Sequence, residues 1–316
     1  MIKILNKKGD VLMVVNADTL KGSNLSGSDL SGSDLSGSDL SGSDLSGSDL
    51  SDSDLRNADL RGSDLSGANL RGSDLRDSDL RGSDLSGANL RGANLRDSDL
   101  RDSNLRDSDL RNADLSGSDL RNADLRGSDL SGANLRGANL RDSDLRDSNL
   151  RDSDLSGSDL SGANLRDSDL RDSNLRDSDL SGSDLSGANL RGSDLRDSDL
   201  RGSDLSCSDL SGANLRGANL SGANLSGSDL RGSDLRDSDL SGAELIIITW
   251  GWWTTYITKG HIRIGCKSYT LQEWKNFSDE EINKMDSRSL EFWEQNKELI
   301  IGLCERFETN KGEETK

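Results

Sequence analysis

Leucine falls at every fifth position from residue 20 to residue 245, 46 leucines in register without a gap. Between them the chain is almost wholly polar, as in SGSDLSGSDLSGSDLSGSDLSGSDL at 26–50. A period of five suits neither regular element. On an α-helix five residues advance about 500°, so the leucines would spiral round the axis and form no stripe. On a flat strand they would alternate between the two faces. The pattern closes only if the chain turns a corner once per pentapeptide. Four corners of about 90° complete a coil of roughly 20 residues, and coils stacked at about 4.8 Å would aim every leucine at the axis.

The intervening positions fit that geometry. With each unit numbered from the residue after leucine, position three is only Ser or Ala across the 45 units of 21–245. It lies two residues before leucine, so it shares the inward face, where only a small side chain has room. Position two is Gly, Asp or Asn except for Cys207. These residues tolerate the left-handed backbone that a corner demands. Position four is Asp or Asn except for Glu244, and position one is Ser or Arg except for Lys21. Both are expected to face water. Proline is absent, as a chain whose N–H groups join a ladder requires.

A small residue, then Asp or Asn, then Leu, then two variable residues: over about three-quarters of its length the chain resembles the pentapeptide-repeat proteins. The resemblance implies a right-handed quadrilateral β-helix. At four units to a coil, the 45 units give about 11 coils and a rod of roughly 54 Å. Each inward Leu contributes about 1.5–3 kcal/mol, against about 1 kcal/mol or more of backbone entropy for each of five ordered residues. Leucine burial alone is therefore insufficient, and the ladder and coil-on-coil packing must supply the rest.

Such stacks need capped ends. Residues 1–19 hold two apolar runs around a Lys-Gly-Asp turn and are expected to form a β-hairpin cap. The solenoid spans 20–245. Residues 246–316 carry all the Trp, Tyr and Phe and are expected to form a small C-terminal α+β capping domain. Its first part reads as two or three strands. Thr270 with Glu273 and Ser278 with Glu281 form capping boxes that open short helices. Ser287 or Ser289 then opens a longer helix with Leu290, Trp293, Leu299, Ile300, Leu303 and Phe307 as its apolar face. The stretch HIRIGCKSYTLQEWKNFSDEEINKM resembles tails of phage and prophage pentapeptide-repeat proteins, with no activity implied.

Composition alone, 31% hydrophobic and 31% charged with a net charge of −19, would suggest disorder. The strict period outweighs it. The repeats carry 26 Lys/Arg against 44 Asp/Glu, so nearly all of the net charge lies on the rod. The quinolone-resistance members of the family resembled mimic DNA to occupy topoisomerases, and an acidic rod invites the same expectation. B-DNA carries one charge per about 1.7 Å, roughly 32 over this length. The rod's net of −18 is little more than half that, and 25 arginines interrupt its surface. Only 26–55 stands out as a candidate acidic patch, with Asp29, Asp34, Asp39, Asp44, Asp49, Asp52 and Asp54 and no basic residue. A solvated, soluble surface is the plainer reading.

Residues 81–110 recur unchanged at 126–155, and 141–165 at 166–190. Neither offset is a whole number of coils, so each copy moves one face round the square. That pattern fits duplication of a generic surface rather than one finely patterned binding face, and it directs recognition to the ends. Trp250, Trp252, Trp253 and Tyr256 are the candidate contact residues there, with coverage of the last coil as the plainer role. His261 is the sole histidine, and Cys207, Cys266 and Cys304 have neither metal-ligand spacing nor a disulfide framework. Asp-Ser-Asp steps such as Asp52/Asp54 offer at best diffuse cation binding. No phosphate loop, zinc motif or basic stripe is present, so no cofactor and no direct nucleic-acid binding are expected. The aliphatic run at 245–248 is far too short for a membrane span, and no secretory signal is expected.

The sequence therefore predicts a non-enzymatic, phage- or prophage-encoded interaction or scaffolding protein in the cytoplasm of a bacterial host. Its rod would act as a spacer, and its C-terminal domain as a contact module for a protein partner or a homodimer. The alternative is a DNA-mimic inhibitor of a host DNA-binding enzyme such as a topoisomerase.

Overall fold

A single unit shows why the pentapeptide folds as it does. In 61–65 every backbone N–H has a partner. Gly62 N donates to Arg81 O (2.9 Å) and Leu65 N to Asp84 O (2.7 Å), both on the next coil. Asp64 N donates to Ser43 O on the preceding coil (2.9 Å), and Ser63 N closes the corner on Leu60 O (3.1 Å). The fifth N–H, that of Arg61, finds no backbone acceptor and donates to the Asp59 side chain, Oδ1 at 3.2 Å. Position four is thus an obligatory acceptor, and a short carboxylate or amide can supply it without folding back. Its outward aspect is only part of its role.

The same bonds repeat through the computed structural model, which describes residues 1–243, 246–250, 253–258, 261–264, 267–286 and 288–309. Position-four residues pair in parallel with those 20 further on, from Asn24 with Asp44 to Asn219 with Asp239. One coil is therefore 20 residues and four leucines. The repeats form a β-helical solenoid, and its leucines from Leu25 to Leu230 are buried in one continuous core with the inward Ala residues. Most inward Ser hydroxyls are satisfied locally, as where Ser63 Oγ donates to Leu60 O at 2.7 Å.

The corners sit at position two. Seventeen non-glycine residues there hold positive φ, including Asp52 at 55° and Cys207 at 58°. That region costs an ordinary L-residue roughly 1–2 kcal/mol, least for Asp and Asn, which explains the composition of the position. Cys207 is exposed.

At the N-terminal end β1 (Ile2–Asn6) and β2 (Val11–Val15) form an antiparallel hairpin. β1 also pairs with β3 (Ser33–Asp34) in the solenoid wall, Leu5 opposite Asp34 and Asn6 opposite Ser33. Ile4 is buried in the leucine core, with Ile2, Met13 and Val15 packed against it.

At the other end β4 (Ile246–Trp250), β5 (Trp253–Thr258), β6 (His261–Ile264) and β7 (Lys267–Thr270) form an antiparallel meander in chain order. Four strands stand where the sequence reading gave two or three. Successive strands are separated by only two residues, too few to interrupt the apolar and β-branched pattern visibly. Both capping boxes form, on α1 (Leu271–Asn276) and α2 (Asp279–Asn283). α3 runs over Ser289–Thr309. Its buried stripe is Phe292, Trp293, Ile300 and Cys304, with Leu290, Ile301 and Leu303 packed alongside. Leu299, expected on that stripe, is 51% exposed. It lies one position short of Ile300, which rotates it about 100° off the contact line. Ser287 and the Phe307 side chain lie outside the described residues.

Candidate functional site: the outer wall and the two ends

On the wall, the residue at position four decides what the following arginine does. In Asp-Leu-Arg the guanidinium folds back onto the carboxylate. Arg76 places Nε 2.8 Å from Asp74 Oδ1 and Nη2 2.6 Å from Oδ2. Hydrogen bonding from Arg76 holds the Asp74 carboxyl below its ordinary value, and Arg56 and Arg61 act likewise on Asp54 and Asp59. The arginines also reach towards the next coil, Arg81 Nε to Asp99 Oδ2 at 3.5 Å and Arg101 Nε to Asp119 Oδ2 at 3.6 Å. One wall therefore carries alternating charges along the rod, Asp79-Arg81-Asp99-Arg101-Asp119. In Asn-Leu-Arg that carboxylate is missing. Arg96 and Arg176 lean instead towards the adjacent corner, onto Asp97 (3.5 Å) and Asp177 (3.2 Å). Arg71 and Arg91, followed by Gly72 and Gly92, line a shallow polar trough that also includes Asp52 and Asn112.

The acidic patch is a collar rather than a face. Asp29 and Asp49 share one side and Asp34 and Asp54 the next, while Asp39 and Asp44 lie on the remaining two. Asp52 is at a corner. Asp29, Asp34, Asp39 and Asp52 are exposed, Asp44 and Asp49 half-buried, and Asp54 buried. Serine hydroxyls two residues on lower the carboxyl values of Asp29, Asp39 and Asp44. The stretch has no basic residue of its own, but the fold brings two to it. Lys7 Nζ, from the hairpin turn, donates to Asp52 O at 2.6 Å, and Arg56 Nη2 lies 2.5 Å from Asp54 Oδ2. A Lys7 contact across 45 residues has no local signal in the sequence.

At the C-terminal end Trp250 and Trp253 are register partners across β4 and β5. Their side chains, and all of Trp252, lie outside the described residues, as do Cys266 and the His261 side chain. Tyr256 packs against the end of the leucine core, with the Arg263 guanidinium 5.3 Å from its ring centroid. Arg263 Nη1 is 3.9 Å from Asp229 Oδ1 on the solenoid. The aromatic cluster that sequence reasoning did not single out lies further on: the Trp274 and Trp293 ring centroids are 4.9 Å apart, and Tyr269 and Phe277 stand edge-on to Trp274. Among the described residues no group of three or more His, Cys, Asp or Glu has the arrangement of a metal site, and no helix is long and apolar enough to cross a membrane.

A stack of 20-residue parallel coils with one leucine per corner-to-corner segment defines a pentapeptide solenoid. The pentapeptide-repeats family model matches residues 19–52, 53–92, 88–127, 128–167, 168–206 and 208–245, and the chain belongs to that family. Among solved structures it is similar to HetL, a pentapeptide repeat protein involved in heterocyst differentiation regulation from the cyanobacterium Nostoc sp. strain PCC 7120. The identity is 35% over 72% of this chain and 92% of HetL, with a TM-score of 0.28. It is also similar to QnrB1, a plasmid-mediated fluoroquinolone resistance protein, at 24% identity over 57% of this chain and 90% of QnrB1, with a TM-score of 0.38. A pentapeptide repeat protein of the Arabidopsis thaliana thylakoid lumen shares 34% identity over 36% of this chain and 66% of its own, with a TM-score of 0.15. No curated relative matches the chain.

Proposed function

We propose that this chain is a non-enzymatic interaction or scaffolding protein. Its right-handed, four-sided solenoid of about 11 coils over 20–245 acts as a rigid acidic spacer. The hairpin of 1–19 caps one end. The domain of 246–316 caps the other and engages a protein partner or a second copy of the chain. The protein is phage- or prophage-encoded and works in the cytoplasm of a bacterial host. The observation that carries this reading is the wall itself. Its pentapeptide chemistry repeats on every side, and its arginines are largely committed to neighbouring aspartates, as Arg76 is to Asp74. Such a surface offers little that is unique to one location, whereas the aromatic residues of the domain do.

The second reading, a DNA mimic that occupies a host enzyme, is favoured by the run 26–55, which carries seven aspartates and no basic residue of its own. The two separate in one experiment. The full chain is titrated against DNA gyrase with and without competing duplex DNA, across a salt series. The scaffold reading expects no binding that DNA displaces. Tight binding, displaced by DNA and lost steeply with salt, would overturn it in favour of mimicry.

A further inference from the structure

The C-terminal domain contains a pocket that the capping role does not use. Its interior is small, about 70 Å³, and opens to solvent on one side. One wall is the Trp274–Trp293 pair, its rings tilted by 35°. The Trp274 indole N–H donates to Ile262 O at 2.6 Å, so this wall is fixed from behind. Ile264 and Ile282, both buried, and Phe292 complete the apolar lining. Met285 stands half-buried beside them.

The polar groups at the mouth are unequally engaged. The Ser289 hydroxyl is turned inward on Ile282 O and Asp286 O. Asp286 is exposed, and its Oδ1 accepts the Arg288 backbone N–H at 3.1 Å. Lys267 opens β7 and is half-buried against the pocket. Among the described residues its ammonium makes no ion pair or hydrogen bond. A half-buried ammonium that makes no ion pair, at the lip of an aromatic pocket, is a partner for an anion attached to an apolar body.

We propose that this pocket binds a small amphipathic carboxylic acid. Its aromatic or branched aliphatic body lies against Trp274, Trp293 and Phe292, and its carboxylate pairs with Lys267. The inference is independent of the scaffold reading, since it concerns a ligand of the end domain alone.

The test uses the full chain and two probes of one shape, 3-phenylpropanoate and phenethylamine. Tryptophan fluorescence and ligand-observed NMR report binding. The acid is expected to bind and to perturb the fluorescence, and the amine to bind at least about tenfold more weakly. Lys267→Met keeps the apolar stem and should weaken the acid by about tenfold, the size of one lost charge-assisted contact, leaving the amine unchanged. Met285→Trp should block the mouth to both probes. If it destabilises the domain by thermal melting, the Lys267→Met comparison still decides. Absence of acid binding, an amine that binds equally well, or an acid indifferent to Lys267→Met each overturns the proposal.

Discussion

Arg76 and Asp74 are bonded three times over. The guanidinium contacts both carboxylate oxygens at 2.8 and 2.6 Å, and the Arg76 backbone N–H donates to Oδ1 at 3.3 Å. One carboxylate thus serves two tasks, as counter-ion to a surface arginine and as acceptor for the N–H that the backbone ladder leaves out.

Two substitutions separate those tasks. Asp74→Asn keeps the acceptor and removes the charge, and should cost no more than about 1 kcal/mol, as exposed ion pairs do. Asp74→Ala also orphans the Arg76 N–H and should cost about 1–3 kcal/mol. Thermal melts of both variants, with hydrogen exchange at the Arg76 amide, give the comparison. Equal destabilisation would mean that the acceptor role is negligible.

Leu130 is wholly buried. Leu130→Asp should unfold or fragment the rod, because a carboxylate among leucines has no partner. From the sequence, Asp129 reads as a water-facing residue whose replacement by Ser would be nearly silent. The structure changes that expectation: Asp129 Oδ1 accepts from Ser131 N at 3.0 Å and from Asn149 Nδ2 at 3.2 Å. Asp129→Asn should therefore be the mild change and Asp129→Leu the costly one, by about 1–3 kcal/mol in chemical denaturation.

These two neighbours mark how far the sequence was legible. The period alone places Leu130 inside and Asp129 outside, because a corner in every pentapeptide is the one geometry that keeps all the leucines together. The capping boxes at Thr270 and Ser278 were legible for the same local reason: each is a bond closed within four residues. The N–H that Asp129 satisfies could not be read, since it becomes orphaned only once three of the other four are assigned to adjacent coils and the fourth to the corner. Nor could the reach of Lys7 to Asp52 or the facing of Trp274 and Trp293, which depend on how separate elements meet.

Cys207 holds φ at 58° at a corner where glycine is the common occupant. Cys207→Gly should raise stability by about 0.5–1 kcal/mol by removing left-handed strain. The reverse change, Gly202→Ala at a corner with φ of 63° and open space around it, should lower stability by about 1 kcal/mol. Melting temperatures that move in the same direction for both would contradict the assignment of strain to the corners.

The paired aspartates give the rod an acid limit. Hydrogen bonds from Arg76 and Arg126 hold the Asp74 and Asp124 carboxyls below the ordinary 3.8, and Asp234 is held down to about 2 by Arg236. A folded-state value below the unfolded one stabilises the fold above the unfolded value, and that stability is lost as pH falls through the folded value. The melting temperature should be nearly level from about pH 8 to 5 and fall between about pH 4 and 2. A rise on acidification would show that relief of repulsion on the acidic wall outweighs the lost pairs.

The hydrogen bonds of each pentapeptide do not cancel in direction. Gly62 and Leu65 donate towards the next coil and only Asp64 towards the preceding one, so each unit leaves one peptide dipole unbalanced along the axis. Summed over the stack, the solenoid is a vectorial object, its N–H-rich pole at the C-terminal end and its carbonyl-rich pole at the N-terminal end. That is the reverse of the polarity of an α-helix. Two bare rods would match head to tail, pole against opposite pole, in a contact that never closes and so propagates as a fibre. On the proposed reading, the hairpin over Ser33 and the sheet that sets Tyr256 against the last leucines would act as stoppers, turning a self-templating filament into a molecule of fixed length.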